Sequence, residues 1–292
     1  MSPNQSVTIE AIAPDNRVEV EPFEVDGVRL YSLSQVNELP EGIKEGIYRS
    51  LLSPSLLSRY GIDPETLCDA HGNRLVTFTC PAGTCLVEVD VRPEAGFPDP
   101  LLYLELADTR LNQIEVMLFI VNDPAGERFA TDLDWQGRRT KFGTFRRNIP
   151  EEVRAMQAGL TPGQVRQGLR LSRSLVPVLE NFVLRLSHDY YLMEPMAYHN
   201  AILFERQGFN YVQGLRRMQW IHEAFQPGGQ LHQALDGSTP FRQPDAWQTV
   251  RGRSWAIHDG ILTAIGASWN GLRMIKRLGH AAGVNTFPDG IY

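Results

Sequence analysis

Cysteine is scarce in this 292-residue chain, which has three. Three cysteines make no disulfide framework, and the length removes the need for one. A chain of about 300 residues buries roughly 75% of the surface its unfolded form exposes. Long apolar runs are missing too. No stretch approaches the roughly 18 residues of a membrane helix, so no membrane partner is expected. The opening MSPNQSVTIEAIAPDNRVEVE has neither the basic start nor the apolar stretch of a secretory signal. With so few cysteines, the expected location is cytoplasmic. Positive charge is in deficit: 28 Lys and Arg stand against 34 Asp and Glu, a net charge of −6. A nucleic-acid partner wants a basic face, so none is expected, while a local basic pocket for an anionic ligand stays open. The P-loop, the Rossmann glycine fingerprint and the Gly-x-Ser-x-Gly elbow do not occur.

What is there has globular proportions, 42% hydrophobic and 21% charged. Residues 1–22 read as a polar tail or edge strand. Residues 23–36 read as a strand through Val25, Val28, Leu30, Tyr31 and Leu33. Pro40 opens a helix with Ile43, Ile47 and Leu51 at spacings of four, and SPSLLSRYGID reads as a short helix closed by Gly61. Residues 75–78 and 86–91 alternate around the Cys80–Cys85 turn as a hairpin, and 101–106 and 114–121 are further strands. The polar stretch 122–150, with Gly126, Gly137 and Gly143, reads as an insertion or mobile loop.

Leu175, Leu179, Phe182, Val183 and Leu186 have helical spacing, and 190–193 is a short strand. Pro195 opens a helix to Gln207, with Gly208 placed for a left-handed cap. Residues 210–218 follow as a strand, and 226–252 as an irregular connection. Ser254–Leu278 reads as a final helix, with Ile261, Ile265, Trp269, Leu272 and Lys276 on one stripe and Arg273, Lys276 and Arg277 at its negative end. That stripe must bury itself on the core or on a second copy, so a homodimer through 254–278 is expected.

The order of elements implies an α/β (α+β) fold, with a mixed central sheet flanked by helices and a C-terminal helical extension. The expected division is a tail over 1–22, an α/β domain over 23–218 carrying the 122–150 insertion, and an extension over 219–292.

The most informative stretch is LTPGQVRQGLRLSRSLVPVLENFVLRLSHDYYLMEPMAYHNAILFERQGFNYVQG. The loop Gln164-Val165-Arg166-Gln167-Gly168-Leu169-Arg170 precedes a helix, a strand, a second helix and the closing Phe204-Glu205-Arg206-Gln207-Gly208-Phe209. About 55 residues resemble the second half of the GNAT acyltransferase family, whose loop [QR]-x-x-G-x-[GA] binds the CoA pyrophosphate through backbone amides and a helix N-terminus. Unpaired N–H groups and the helix dipole attract phosphate.

The resemblance implies a mixed sheet with CoA bound at a strand splay, and acetyl-CoA or another acyl-CoA as co-substrate. It implies an amine or other small molecule as acceptor, attacking the thioester directly. Gln164, Arg166, Gly168 and Arg170 would bind the cofactor, and Tyr198, His199 and Tyr211 would be proton donors or acceptors. Middle-strand carboxylates Glu88, Asp90, Glu105 and Glu115 are the acceptor-side alternatives. The chain departs from the pattern in several places. Val165 and Arg170 hold the loop's first and last positions, and Pro177 sits inside the expected helix. Ala197 stands where an asparagine is usual, and Phe204 where a tyrosine often reprotonates the leaving thiolate. A degenerate relative that binds CoA without transfer is therefore the companion expectation, and a non-enzymatic ligand-binding or dimerisation protein on the same fold is the runner-up.

Two metal patterns complete the reading. Cys68, His71, Cys80 and Cys85 have the chemistry of a zinc tetrad at irregular spacing. His188, Asp189, Glu194, His199, Glu205, His222 and Glu223 lack the Glu-x-x-His pairs of carboxylate–histidine iron sites. The expectation is no metal, with a metalloprotein as the weaker alternative.

Overall fold

The computed structural model describes residues 20–140 and 146–292. The expected tail, up to residue 19, and Gly143 of the insertion lie outside the described residues. The fold is mixed α/β, with seven strands in one sheet and helices packed against it.

The chain enters through a two-stranded hairpin, β1 (Glu24–Val25) and β2 (Val28–Arg29), and a short helix α1 (Leu33–Asn37). This corrects the expectation of one strand over 23–36. Asp26 and Gly27 take positive φ (52° and 76°), the turn an Asp-Gly pair favours between antiparallel strands. Ser32 then caps α1 by accepting from the Gln35 N–H. Helices α2 (Glu41–Arg49) and α3 (Pro54–Arg59) follow as the spacing predicts.

Strands β3 (Val76–Thr79), β4 (Leu86–Val91), β5 (Leu102–Asp108) and β6 (Ile114–Val121) form an antiparallel run. Alternation gives them a deep face and a shallower one. Val87, Val89, Val91, Leu102, Leu104 and Leu106 are buried, while Glu88, Asp90, Tyr103 and Glu105 between them are half-buried.

After β6 come helix α4 (Ile149–Gln157) and the long helix α5 (Ser172–Arg185). Helix α5 starts at Ser172 and accommodates Pro177 in its interior. It is the crossover that lets β7 (Tyr190–Met193) lie parallel to β6, since parallel neighbours need a long connection. Phe182 of α5 packs on Phe23 and on Tyr48 of α2, tying both helices to the deep face. Helix α6 (Tyr198–Arg206) follows and ends at Gly208, whose φ of 84° is the left-handed cap expected there.

Two expectations fail beyond this point. The expected strand over 210–218 is β8 (Asn210–Gln213) followed by helix α7 (Leu215–Ala224). Gly214 ends the strand at φ 103°, and a Cβ there would stand 2.9 Å from Leu272 Cγ. The expected helix over 254–278 is three pieces. Helix α9 (Val250–His258), which follows the one-turn α8 (Gln230–Gln233), ends first; a 3-10 turn over Thr263–Ile265 comes next; then strand β9 (Arg273–Arg277). Gly260, Gly266 and Gly271 separate the pieces, all at positive φ (82°, 72° and 65°), a conformation no continuous helix contains.

Strand β9 lies between β7 and β8, completing the order β3-β4-β5-β6-β7-β9-β8, in which β6–β7 is the parallel pair. The segment expected as a helical extension thus supplies an interior strand. Its apolar stripe is consumed by the chain's own core: Ile261 and Leu272 are buried, and Ile265 and Trp269 pack against them. The expected dimer helix has no counterpart.

A second, smaller core joins the region after β6 to the C-terminal part. It gathers Phe129, Ala155, Leu160, Phe241 and Trp255. Phe241 stacks on Trp255, whose indole N–H donates to Leu160 O at 2.9 Å.

Candidate functional site

The geometry of interest starts at a defect in β6. Across from β5, Glu105 faces Leu118 but Leu106 faces Val116, so Met117 is an extra residue, a β-bulge. A bulge bends its strand and increases the local twist. On the other side β6 pairs with β7 at Ile114, Glu115 and Val116 and at no residue beyond. Strand β7 stops at Met193 because Glu194-Pro195 follows, and proline has no N–H to continue a ladder. The two parallel strands therefore part at the bulge.

A cleft of about 380 Å³ opens in that gap. One wall is Glu115, Val116 and Met117 of β6, and a second is Glu194, Pro195 and Met196 beyond β7. Trp269, Asn270 and Leu272, leading into β9, make the third. The indole of Trp269 is held by its N–H bond to Pro195 O (3.2 Å) and by the edge of Tyr198. Glu115 is ion-paired with Arg273 at 2.7 Å.

The loop 164–170 lies at the other end of the free part of β6. Gln167 O accepts from Asp123 N, Val165 O accepts from Phe129 N, and a Cβ at Gly168 would stand 3.3 Å from Val121 O. From Met117 to Val121 the strand spans about 13 Å at ~3.3 Å per residue. Helix α5 follows the loop without a side-chain cap at its N-terminus, so its first N–H groups point out of the helix without intrahelical acceptors.

The four expected cofactor residues have unlike fates. Gln164 uses its side-chain carbonyl to accept from Thr161 N and Oγ1, both at 2.8 Å, which closes the turn before the loop. Arg166 is buried. It donates to Asp99 at 2.8 Å and lies over Phe97, and Asp99 is shared with Arg128. These bonds anchor the loop and leave Arg166 little to offer a ligand. The two arginines also hold the Asp99 carboxyl below its usual range against the opposing effect of burial. Gly168 lies beside the end of β6. Arg170 is exposed, with a positive φ of 57° that carries some strain for a residue with a Cβ.

The three expected acid–base residues do not line the cleft. Tyr198 is buried one ring behind it, edge-on to Trp269, with its hydroxyl 3.4 Å from Arg253 Nη1; burial pushes its pKa up to about 12. Arg253 is itself wholly buried. It stacks on Phe287 and donates to Trp247 O and His222 Nδ1. Tyr211 donates to Glu205 at 2.6 Å; burial and that carboxylate raise its pKa. Glu205 in turn accepts from Thr286 N and Oγ1, so Tyr211 serves the C-terminal packing.

His199 is buried with Nδ1 2.8 Å from Ser254 Oγ, and burial, reinforced by nearby His258, lowers its pKa from 6.5 to about 3. A histidine that binds its proton less readily folded than unfolded contributes stability in full above about pH 6.5. That contribution is lost as the pH falls from there toward 3. We expect the melting temperature of the wild type to fall between pH 6.5 and 4.5, and that of His199→Gln to fall less. Parallel melting curves over that range check it; equal slopes would show that His199 does not bind a proton on unfolding.

The chemistry that sequence reasoning left scattered lies on the shallower sheet face. Glu88 and Glu105 are directly opposed across β4 and β5, and Glu115 shares their face. Burial and then the Glu88 charge raise the Glu105 carboxyl. The one local signal for the cleft was Met193-Glu194-Pro195, a strand end followed by a proline, since ligands favour the carboxyl ends of strands where the chain switches direction.

The metal patterns do not assemble. Cys68 donates to Thr66 O, Cys80 is buried and Cys85 exposed, and no group of three or more metal-ligating side chains occurs among the described residues. Among the described residues no helix is long and apolar enough to cross a membrane. The chain matches no protein-family model, no curated protein and no solved structure.

Proposed function

We propose that this protein is an acyl-CoA-dependent N-acyltransferase of the GNAT kind, or a relative that binds CoA without transferring its acyl group. The observation that carries the reading is the parting of β6 from β7 at the Met117 bulge. It leaves an extended strand edge with the 164–170 loop at one end and the cleft at the other. CoA has matching parts: a pyrophosphate for the loop amides and the α5 N-terminus, an arm with two amides for the strand edge, and a thioester for the cleft.

In transfer, the amine nitrogen attacks the thioester carbonyl carbon, the C–S bond breaks and the thiolate leaves and takes up a proton. The proton lost by the amine needs an acceptor. The carboxylates on the sheet face that Glu115 shares are the candidates. Glu115 stands on the cleft wall but is engaged with Arg273, and Glu105, opposed to Glu88 on the same face, has its carboxyl raised by burial and by that charge. The binding-only form has its own support. Phe204 packs on Phe209 in the core and carries no hydroxyl to protonate a thiolate.

Calorimetry with CoA and acetyl-CoA tests the proposal. Arg170→Ala should weaken binding roughly tenfold or more, the loss of a hydrogen bond to a charged group. Gly168→Val should weaken it further by crowding Val121 O and the phosphate path. Wild type giving no heat at millimolar ligand would remove the proposal. Binding without transfer to a panel of amines would select the binding-only form.

A further inference from the structure

We propose that the cleft between β6 and β7 is built for an apolar acyl chain several carbons long rather than for an acetyl group. The inference rests on the CoA reading above and concerns what the thioester carries.

The lining is mostly apolar, and its polar members are largely engaged. Glu115 is held by Arg273, and the Asn270 side chain accepts from Arg217. Glu194 is the exposed carboxylate at the rim. The apolar members are Val116, Met117, Pro195, Met196, Trp269 and Leu272. Met117 and Met196 face each other's walls while 49% and 52% exposed, a large apolar exposure for two side chains flanking one gap. Methionine is unbranched and adapts its shape to a flexible guest. Trp269 gives the opposite wall a fixed surface, pinned by Pro195 O and by Tyr198.

The size of the cleft separates the alternatives. About 380 Å³ lies within the range of small-molecule pockets. An acetyl group ends in one methyl, comparable to a water whose share of liquid volume is about 30 Å³. It would leave most of the cleft wet and the methionines exposed. A longer chain covers Met117 and Met196 together, and the Glu194 rim disfavours a free fatty carboxylate while leaving a neutral thioester chain unopposed.

The test is calorimetry of the full chain with CoA and with acetyl-, butyryl-, hexanoyl- and octanoyl-CoA. Kd is expected to fall by up to about fourfold for each added methylene that enters the cleft, and to level once the cleft is full. Met196→Glu, at an exposed position and checked by circular dichroism, should flatten that series, each Kd being read against that of CoA for the same variant. If all acyl-CoAs bind as tightly as CoA, the acyl-chain inference falls and the CoA reading stands. A series left steep by Met196→Glu would place the chain outside this cleft and overturn the inference equally. If no member binds, both readings fall together.

Discussion

A chain cut after Gly252 is expected not to fold, because the cut removes a strand from the interior of the sheet. Strand β9 pairs with β7 from Tyr190 to Met193 and with β8 from Asn210 to Gln213, so its loss leaves β8 with no partner and β7 with a bare edge. Ile261, Leu262, Leu272 and Met274, all buried, would be lost from the core at the same time. A point substitution makes the same case without shortening the chain. Met274 has no exposed surface, and Met274→Asp would replace its packing with a carboxylate. Losing a buried methionine side chain costs about 2–5 kcal/mol, and desolvating a lone charge adds to that. Against a total stability of about 5–15 kcal/mol, the variant should be unfolded or nearly so at room temperature. Circular dichroism and urea titration decide it. A cooperative transition at the wild-type midpoint for either protein would show that β9 is not part of the folded sheet.

Asp259→Ala should be the most damaging single change outside the main core. The Asp259 carboxylate, 8% exposed, accepts from Arg147 Nη1 at 2.8 Å, Arg242 Nε at 2.9 Å and Thr239 Oγ1 at 2.8 Å. Arg147 also binds Glu152 of α4, which is paired with His258 of α9. One network thus ties the region after β6 to the end of the chain around the smaller core. Removing the central carboxylate leaves two guanidinium groups short of a partner. Breaking a buried pair costs about 3–5 kcal/mol, and partial exposure of both arginines places this one near 3. The expected fall in melting temperature is roughly 6–12 °C. Asp259→Asn, which keeps the shape and one of the two acceptor oxygens, should lose less. A double-mutant cycle with Arg242→Ala should return a coupling of about 1 kcal/mol or more. Additive losses would mean that the network contributes nothing beyond its separate members.

Much of the fold was legible residue by residue. Strands β3 to β7 and helices α2, α3, α5 and α6 follow from hydrophobic periods of two and of about 3.6, and Gly61 and Gly208 mark helix ends as their left-handed conformations require. The misreadings share a cause. Ile261, Ile265, Trp269 and Leu272 have helical spacing, but Gly260, Gly266 and Gly271 are turning points at positive φ. Glycine in a helix costs only about 1 kcal/mol by propensity, so spacing alone outvoted them. The buried alternation of Met274 and Lys276 was then hidden inside the false helix, although Lys276 has ordinary strand partners and donates to Gln207 O and His280 O. Residues 23–36 misled in the same way, because a two-residue hairpin and a five-residue helix are too short to complete a period.

The candidate site was legible in its parts and not in its assembly. The 164–170 loop stood out as glycine before a helix, yet nothing local could say that Arg166 would turn inward to Asp99, 67 positions away, and that Arg170 would stay outside. Tyr198, His199 and Tyr211 have acid–base chemistry legible in the sequence, but burial keeps them from the cleft, and each is engaged by a partner elsewhere in the chain. The sequence by itself determined the class of fold, the strands and helices with a full period, the net negative charge and the absence of a familiar nucleotide loop. Only the tertiary structure decided that Met117 is a bulge, that β9 enters between β7 and β8, and that Glu115, Met196 and Trp269 share one cleft. Periodicity is a property of neighbours along the chain, whereas register and cleft walls arise from pairings between distant segments, and those are selected by the packing energy of the whole molecule.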